Sequence, residues 1–383
     1  MPHFPNIVPA IDEMRGSLFS ATAHKLVTYK GELYPFHVGD TWMEPAKGCR
    51  MEDLHVADYP GMHRYAPPQG WLPLMDGLVE RTRATTGEQV DRGNVLVTAG
   101  ATGGLSVAVG ATVAPGEEVL ILGPYWALMS GVVQTFRAKP VVVPFLENAD
   151  NSEAAIEIID SYCTENTAAV YLNTPNNPTG RVIPRAICEA ILGWAQSKDL
   201  WVFSDEVYEK YVYEGEHTYC RTLAPERTFA VYSFSKAYGM AGNRCGYVVG
   251  PKEQMKALRK VVTHTFYSTT TASQIAALNA LKGPGDEWAK NARIKYQEMG
   301  QRAAKRLGLP APQGSTFLFF DVKDRLDERG LKGFLEDAAD RGLFVAPGPS
   351  FGPYPTHIRA CFTCAPPEVV DRGIEVLAKM LGM

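Results

Sequence analysis

The sequence predicts an α/β protein, built on a mainly parallel sheet between helices and completed by a smaller α+β unit. Three observations carry this reading. From residue 94 onward, short apolar runs rich in β-branched and aromatic residues alternate with helical patterns, as strands joined by crossover helices do. A long polar helical pattern at 286–307 then leads into a second group of strands and helices. At 383 residues with 45% hydrophobic content, the chain is long enough to bury a large core in two domains.

In order, residues 1 to about 40 read as an arm, too interrupted by proline for a long helix, which ends in a strand at 33–38 and in Gly39-Asp40. The proline-rich stretch from Tyr59 to Pro73 reads as loop. Strands are expected at 95–98, 118–122, 140–143, 168–172, 201–203, 227–231 and 245–250, with helices at 103–113, 125–137, 153–163 and 184–197. Helical patterns resume at 252–262, 271–281 and 286–307. The C-terminal unit carries strands at 317–322, 343–346 and 357–361 and helices at 331–341 and 368–381. In such an architecture reactive residues sit at the carboxyl ends of the parallel strands.

Composition removes several functions. A net charge of -4 and a pI near 6.1 give no broad basic face for nucleic acid. Apolar runs such as 119–122 and 141–143 are far shorter than the ~20 residues that cross a bilayer, so no membrane span is expected. The first nineteen residues contain Pro2, Pro5, Pro9, Asp12 and Glu13 and no apolar signal core, so a cytoplasmic protein is expected. The odd number of cysteines, seven, agrees with a reducing compartment. Cys361 and Cys364 have CxxC spacing but no second pair, and the eight histidines are scattered, so no metal site is predicted.

The most telling stretch runs from Tyr232 to Tyr247, between two predicted strands, and holds a single lysine, Lys236, among small and aromatic residues. An ammonium is costly to bury, and desolvation favours the neutral amine, which is a nucleophile. Ser233, Ser235 and Arg244 place hydroxyls and a permanent cation nearby, as a phosphate-bearing carbonyl compound such as pyridoxal phosphate (PLP) requires. The plainer reading is a loop lysine that snorkels to water.

The pattern Ser-x-Ser-Lys-x-x-Gly-Met-x-Gly-x-Arg-x-Gly-Tyr, as it stands at 233–247, resembles the lysine segment of the class I/II aminotransferases, PLP enzymes of the aspartate aminotransferase fold. The resemblance implies fold-type-I architecture with a seven-stranded sheet. Lys236 would form the internal aldimine, and Ser233, Ser235 and Arg244 would hold the phosphate.

Other segments fall into the same order. Gly100-Ala101-Thr102-Gly103-Gly104 links a strand to a helix and offers free N–H groups and a helix dipole to an anion. By resemblance the donors are Ala101 and Thr102. Pro124-Tyr125-Trp126 supplies a ring to stack on the cofactor, Trp126 by the family's spacing, with Tyr125 as its rival. Asn173-Thr174-Pro175-Asn176-Asn177-Pro178-Thr179-Gly180 is close to the family's Asn-Pro-x-Asn-Pro-Thr-Gly, with Thr174 in place of the first proline. Asn177 would then hold the ring hydroxyl and touch the substrate carboxylate. Asp205, closing a buried strand in Ser204-Asp205-Glu206-Val207-Tyr208, needs a cationic partner, and a pyridinium nitrogen can be one. The resemblance gives it that role and gives Tyr208 a hydrogen bond to the ring oxygen. Arg359, in an apolar strand, suits a carboxylate met by its planar fork. By resemblance Arg359 binds the substrate α-carboxylate, with the backbone of Gly39 beside it. Gly348-Pro349-Ser350-Phe351-Gly352 satisfies G-x-S-x-G, but prolines at 349 and 353 obstruct the helix that a nucleophile elbow needs.

The implied division is an arm contributing to the small domain at 1–45, a large PLP-binding domain at 46–285, and the small domain completed by 286–383. The expected reaction moves an amino group between an L-amino acid and a 2-oxo acid, with catalytic roles for Lys236, Asp205 and Tyr208. Lyases, decarboxylases and cyclising enzymes of the same fold share most of these residues. A PLP-binding sensor of a transcription regulator would need a helix-turn-helix segment before Gly39, where some forty proline-interrupted residues stand. Thr102 replaces a lysine that some acidic-substrate members carry, which disfavours aspartate. Tyr65, in Arg64-Tyr65-Ala66-Pro67-Pro68-Gln69-Gly70, corresponds to a tyrosine that reaches the partner's cofactor phosphate, implying a homodimer with shared sites.

Overall fold

The computed structural model describes residues 6–12, 14 and 23–383. Seven strands form the main sheet: β1 (Val95–Thr98), β2 (Glu118–Gly123), β3 (Lys139–Pro144), β4 (Thr167–Asn173), β5 (Trp201–Asp205), β6 (Thr228–Ser233) and β7 (Gly246–Val249). Their spatial order is β1-β7-β6-β5-β4-β2-β3, and β7 alone runs antiparallel to its neighbours. The parallel strands read as near-continuous apolar runs because both faces are covered.

One face packs on helices Gly100–Thr112, Met129–Thr135 and Lys252–Thr265, through residues such as Leu105, Val109, Val133 and Leu258 meeting Ile121, Phe203 and Val231. The other face packs on Leu72–Thr86 and Thr271–Leu281 and, further along, on Ser152–Tyr162 and Arg185–Ser197. Each fully buried Leu, Val, Ile or Phe contributes roughly 1.5–3 kcal/mol, so these layers dominate the stability. Gly104 allows the first of these helices to approach the sheet. A Cβ there would lie 2.9 Å from Val248 and 3.0 Å from Val231, so a larger residue would push the helix away.

The long helix Pro284–Arg306 leads to a second, antiparallel sheet of β8 (Phe317–Asp321), β9 (Ala346–Pro347) and β10 (His357–Cys361), in the order β8-β10-β9. Helices Gly330–Ala339 and Pro367–Met380 accompany it. Tyr34 and Phe36 are buried in the same core as Phe317, Ile358 and Leu377, so the chain before Gly39 packs with the C-terminal elements.

Four sequence expectations need correction. No strand spans 33–38: Tyr34 makes one parallel bridge to Leu343, and the chain then turns, with Phe36 N–H donating to Tyr34 O and Val38 N–H to Pro35 O. The strand expected at 343–346 shrinks to Ala346–Pro347, where proline removes a ladder donor. The helix expected at 125–137 is only Met129–Thr135. Finally, Leu72–Thr86 was missed because its start lies in the proline-rich stretch. Pro73 occupies the first turn, where its missing N–H costs nothing, and Gly87 ends the helix with φ 74°. The spacing of buried Leu74, Met75, Leu78, Val79 and Thr82 is the signal that could have found it.

Candidate active site

The carboxyl ends of β1, β4, β5 and β6 open into one cavity of about 470 Å³. Its walls include every residue assigned a binding or catalytic role above except Tyr65: Gly39, Ala101, Thr102, Trp126, Asn177, Asp205, Tyr208, Ser233, Ser235, Lys236, Arg244 and Arg359.

Lys236 lies in the short helical turn Phe234–Ala237 that follows β6, held by Ser235 N–H donating to Ser233 Oγ at 3.0 Å. Its Nζ donates to Gly39 O. Burial lowers its pKa below the ordinary lysine value, opposed by nearby Asp40 and reinforced by the Arg359 and Arg244 charges. The side chain is only partly covered, so its amine is accessible from the cavity and closer to the neutral form than a surface lysine.

Asp205, at the last position of β5, is 3% exposed. Tyr171 of β4 donates to its Oδ2 at 2.8 Å, and Val207 N–H reaches Oδ1 at 3.4 Å. Burial raises its pKa to about 6, the two hydrogen bonds and neighbouring Glu206 acting in opposite directions. Among the described residues it has no ion-pair partner, an expensive state for a buried carboxylate.

Across the cavity, Gly100 has φ 69° and opens the helix Gly100–Thr112, whose first N–H groups lack acceptors within the helix. A Cβ on Gly100 would lie 2.6 Å from Arg244 Nη2, and one on Gly246 would lie 2.8 Å from Ala101 N. The two glycines therefore bring the guanidinium, β7 and the helix start together. Arg244 Nη1 donates to Ala241 O at 3.0 Å, and among the described residues the guanidinium meets no carboxylate. A fixed cation, free helical amides and the hydroxyls of Ser233 and Ser235 form a donor set suited to a phosphate.

Arg359 projects from β10 and is 6% exposed. Its Nη1 donates to Asn177 Oδ1 at 3.0 Å and its Nη2 to His37 O at 2.6 Å. The guanidinium carbon lies 4.4 Å from the Phe317 ring centre and 4.9 Å from that of Phe351. Its Nε is buried without a partner, and no carboxylate neutralises it among the described residues. Asn177 is aimed here by Asn173 Oδ1, which accepts its N–H at 2.7 Å, whereas Asn176 ties the turn by donating to Pro124 O at 3.0 Å.

Trp126 faces the cavity, while Tyr125 is buried in the core beside Met129, its N–H donating to Phe351 O. Tyr208 is buried with its ring edge-on to Phe317, and burial raises its pKa, so it stays a neutral hydroxyl. Tyr65 does not join the cavity: it is 87% exposed and rests edge-on against Tyr267. Ser350 lies in the short 3-10 turn Gly348–Phe351, without the strand-turn-helix of a nucleophile elbow. No cluster of metal-binding side chains occurs among the described residues.

Sequence reasoning missed Tyr171, His37, Asn173 and Phe351, which support or line the site. The order of β4 beside β5, with Asn173 opposite Asp205, is what brings Tyr171 to the carboxylate. Phe351 did carry a signal, because Pro347-Gly348-Pro349-Ser350-Phe351-Gly352 resembles the Pro-Gly-x-x-Phe-Gly turn that borders the aminotransferase substrate site.

These features, a half-buried lysine, an anion cradle, a carboxylate without an ion-pair partner among the described residues and an arginine fork on a seven-stranded mainly parallel sheet, define a transferase of fold type I. The chain belongs to the class I and II aminotransferase family, whose model matches residues 37–377. It is 32% identical to the aspartate/prephenate aminotransferase of Thermus thermophilus over 331 residues, covering 84% of each chain. It is also 32% identical to an arginine–pyruvate transaminase of Pseudomonas aeruginosa, covering 78% of each. A solved single mutant of Thermus thermophilus aspartate aminotransferase superimposes with a TM-score of 0.89 at 28% identity, covering 98% of this chain and 100% of that one. The protein is an aminotransferase.

Proposed function

We propose that the enzyme uses PLP to move an amino group between an L-amino acid and a 2-oxo acid, within a large domain at 46–285 and a small domain drawn from both ends of the chain. The observation that carries this reading is Asp205, a buried carboxylate without a cationic partner among the described residues, on the wall of the cavity that also receives Lys236. PLP, when bound, supplies an electron-accepting ring and the carbon that receives the amino group.

Ser233, Ser235, Arg244 and the amides of Ala101 and Thr102 would hold the phosphate. Trp126 would stack on the ring, Asn177 and Tyr208 would hold its oxygen, and Asp205 would keep its nitrogen protonated. Arg359, with Asn177 and the backbone of Gly39, orients the substrate α-carboxylate so that the Cα proton points at Lys236. Lys236 Nζ would then take that proton from Cα and deliver it to the cofactor carbon that receives the amino group, a general acid–base role typically worth ~10²–10⁴-fold.

Lys236, Arg244 and Arg359 are the only Lys or Arg side chains lining the cavity among the described residues, and each has a role. Val38, Leu105, Leu128 and Phe351 are apolar. This favours amino acids with uncharged side chains over aspartate. Tyr65, held outward, is read as reaching a partner chain in a homodimer, and the seven free cysteines support a cytoplasmic enzyme.

The test incubates purified protein and PLP with ¹⁵N-labelled amino acids, singly, and a 2-oxo acid. Label in a new amino acid supports the reading. Release of ammonia or carbon dioxide without label transfer would assign a lyase or a decarboxylase instead.

A further inference from the structure

We infer that Tyr171 is the positioning residue that holds Asp205 ionised and aimed into the cavity, and so sets the pH above which the enzyme works. The inference rests on the role proposed for Asp205, but its first half concerns this chain alone.

Tyr171 lies in the middle of β4, fully buried, and its hydroxyl donates to Asp205 Oδ2 at 2.8 Å. It is the only side chain that hydrogen-bonds the carboxylate among the described residues; the other contact is the long 3.4 Å bond from Val207 N–H. A hydrogen bond to a buried charge stabilises that charge, because the alternative is an apolar wall rather than water. Burial also drives the pKa of Tyr171 far up, so its hydroxyl keeps its proton and remains a donor at every working pH.

The charges around Asp205 leave this bond decisive. Glu206, next in the chain, opposes ionisation. It is fixed by Ser204 Oγ at 2.9 Å, Tyr232 OH at 2.8 Å, Cys220 N–H at 3.0 Å and His217 Nε2 at 3.1 Å. Tyr208 on the following loop is neutral. The cavity cations Lys236, Arg244 and Arg359 donate to Gly39, Ala241, Ala99, Asn177 and His37 rather than to Asp205. Bonded to one oxygen, Tyr171 also fixes the rotation of the carboxylate and leaves Oδ1 for a ligand nitrogen.

The test compares wild type with Tyr171→Phe, full length, with and without PLP. In the cofactor-free protein, the Asp205 carboxyl titration, followed by carboxyl infrared difference spectra against Asp205→Asn, must move up by about one to two pH units, as loss of a bond to a charged group implies. In the PLP-loaded enzyme the acid limb of kcat/KM must move the same way, with a ~10- to ~100-fold loss at pH values below the wild-type midpoint and a smaller loss above it. In the Asp205→Asn background, Tyr171→Phe must have no further effect. An unmoved titration, or an equal loss in both backgrounds, overturns the inference. A shifted titration with an unmoved rate profile would leave Tyr171 controlling Asp205 but would contradict the role proposed for Asp205. Should Tyr171→Phe not fold, fluorotyrosine at 171, a stronger donor, must lower the titration midpoint, and an unchanged midpoint refutes the inference.

Discussion

Replacing Arg359 by alanine should separate substrate binding from cofactor chemistry. The side chain is almost fully buried, two of its nitrogens are committed to Asn177 and His37, and among the described residues its Nε is unpartnered and no carboxylate balances its charge. Burial lowers its pKa, although it remains a cation. A pair of this kind truncated on one side costs ~2–5 kcal/mol, and at ~1.36 kcal/mol per decade kcat/KM should fall by roughly 30- to 5,000-fold. The assay is the half-reaction of the PLP-loaded enzyme followed by absorbance, with amino acids and with amines that lack a carboxylate. Amino acids should lose the full factor and the amines a few-fold at most. Because no partner carboxylate is orphaned, the thermal midpoint should fall by only a few degrees, the cost of two hydrogen bonds. Equal losses for both substrate classes would remove Arg359 from the carboxylate site.

Asp205→Ala should retain PLP while nearly abolishing transamination, since the phosphate contacts survive and the partner of the ring nitrogen is lost; activity within a few-fold of wild type would refute this. Asp205→Asn should stabilise the cofactor-free protein at pH 8. The folded pKa is raised from 3.8 to about 6, so this group's stability is present below 3.8 and lost as pH rises through 6, a difference of ~3 kcal/mol. The gain in thermal midpoint should therefore shrink on acidification below pH 6, and a pH-independent gain would contradict the assignment. Mixing Lys236→Ala chains with Tyr65→Phe chains should regain activity above either parent, because one site of the mixed dimer carries neither defect; a fully active monomer would exclude shared sites.

The parallel strands were legible to within a residue or two because burial on both faces demands unbroken apolar, β-branched runs. Arg359 stood out for the opposite reason, a charge where only apolar residues fit. What the sequence hid was set by contacts between distant segments. Tyr125 and Pro124 spend their backbone groups on Phe351 and Asn176, so the expected helix begins late and the Trp126 ring faces the cavity. Tyr171 reads as core filling until the order of the sheet puts β4 beside β5. A role for Tyr65 requires a second chain, which no local pattern encodes.

The central claim is that Lys236 is the amine that holds PLP. Borohydride reduction of the PLP-loaded enzyme, then digestion and mass spectrometry, tests it directly. The account predicts one pyridoxyl phosphate per chain, on the peptide carrying Lys236, and no label in Lys236→Ala. Label on another lysine, or undiminished labelling of the variant, would contradict it.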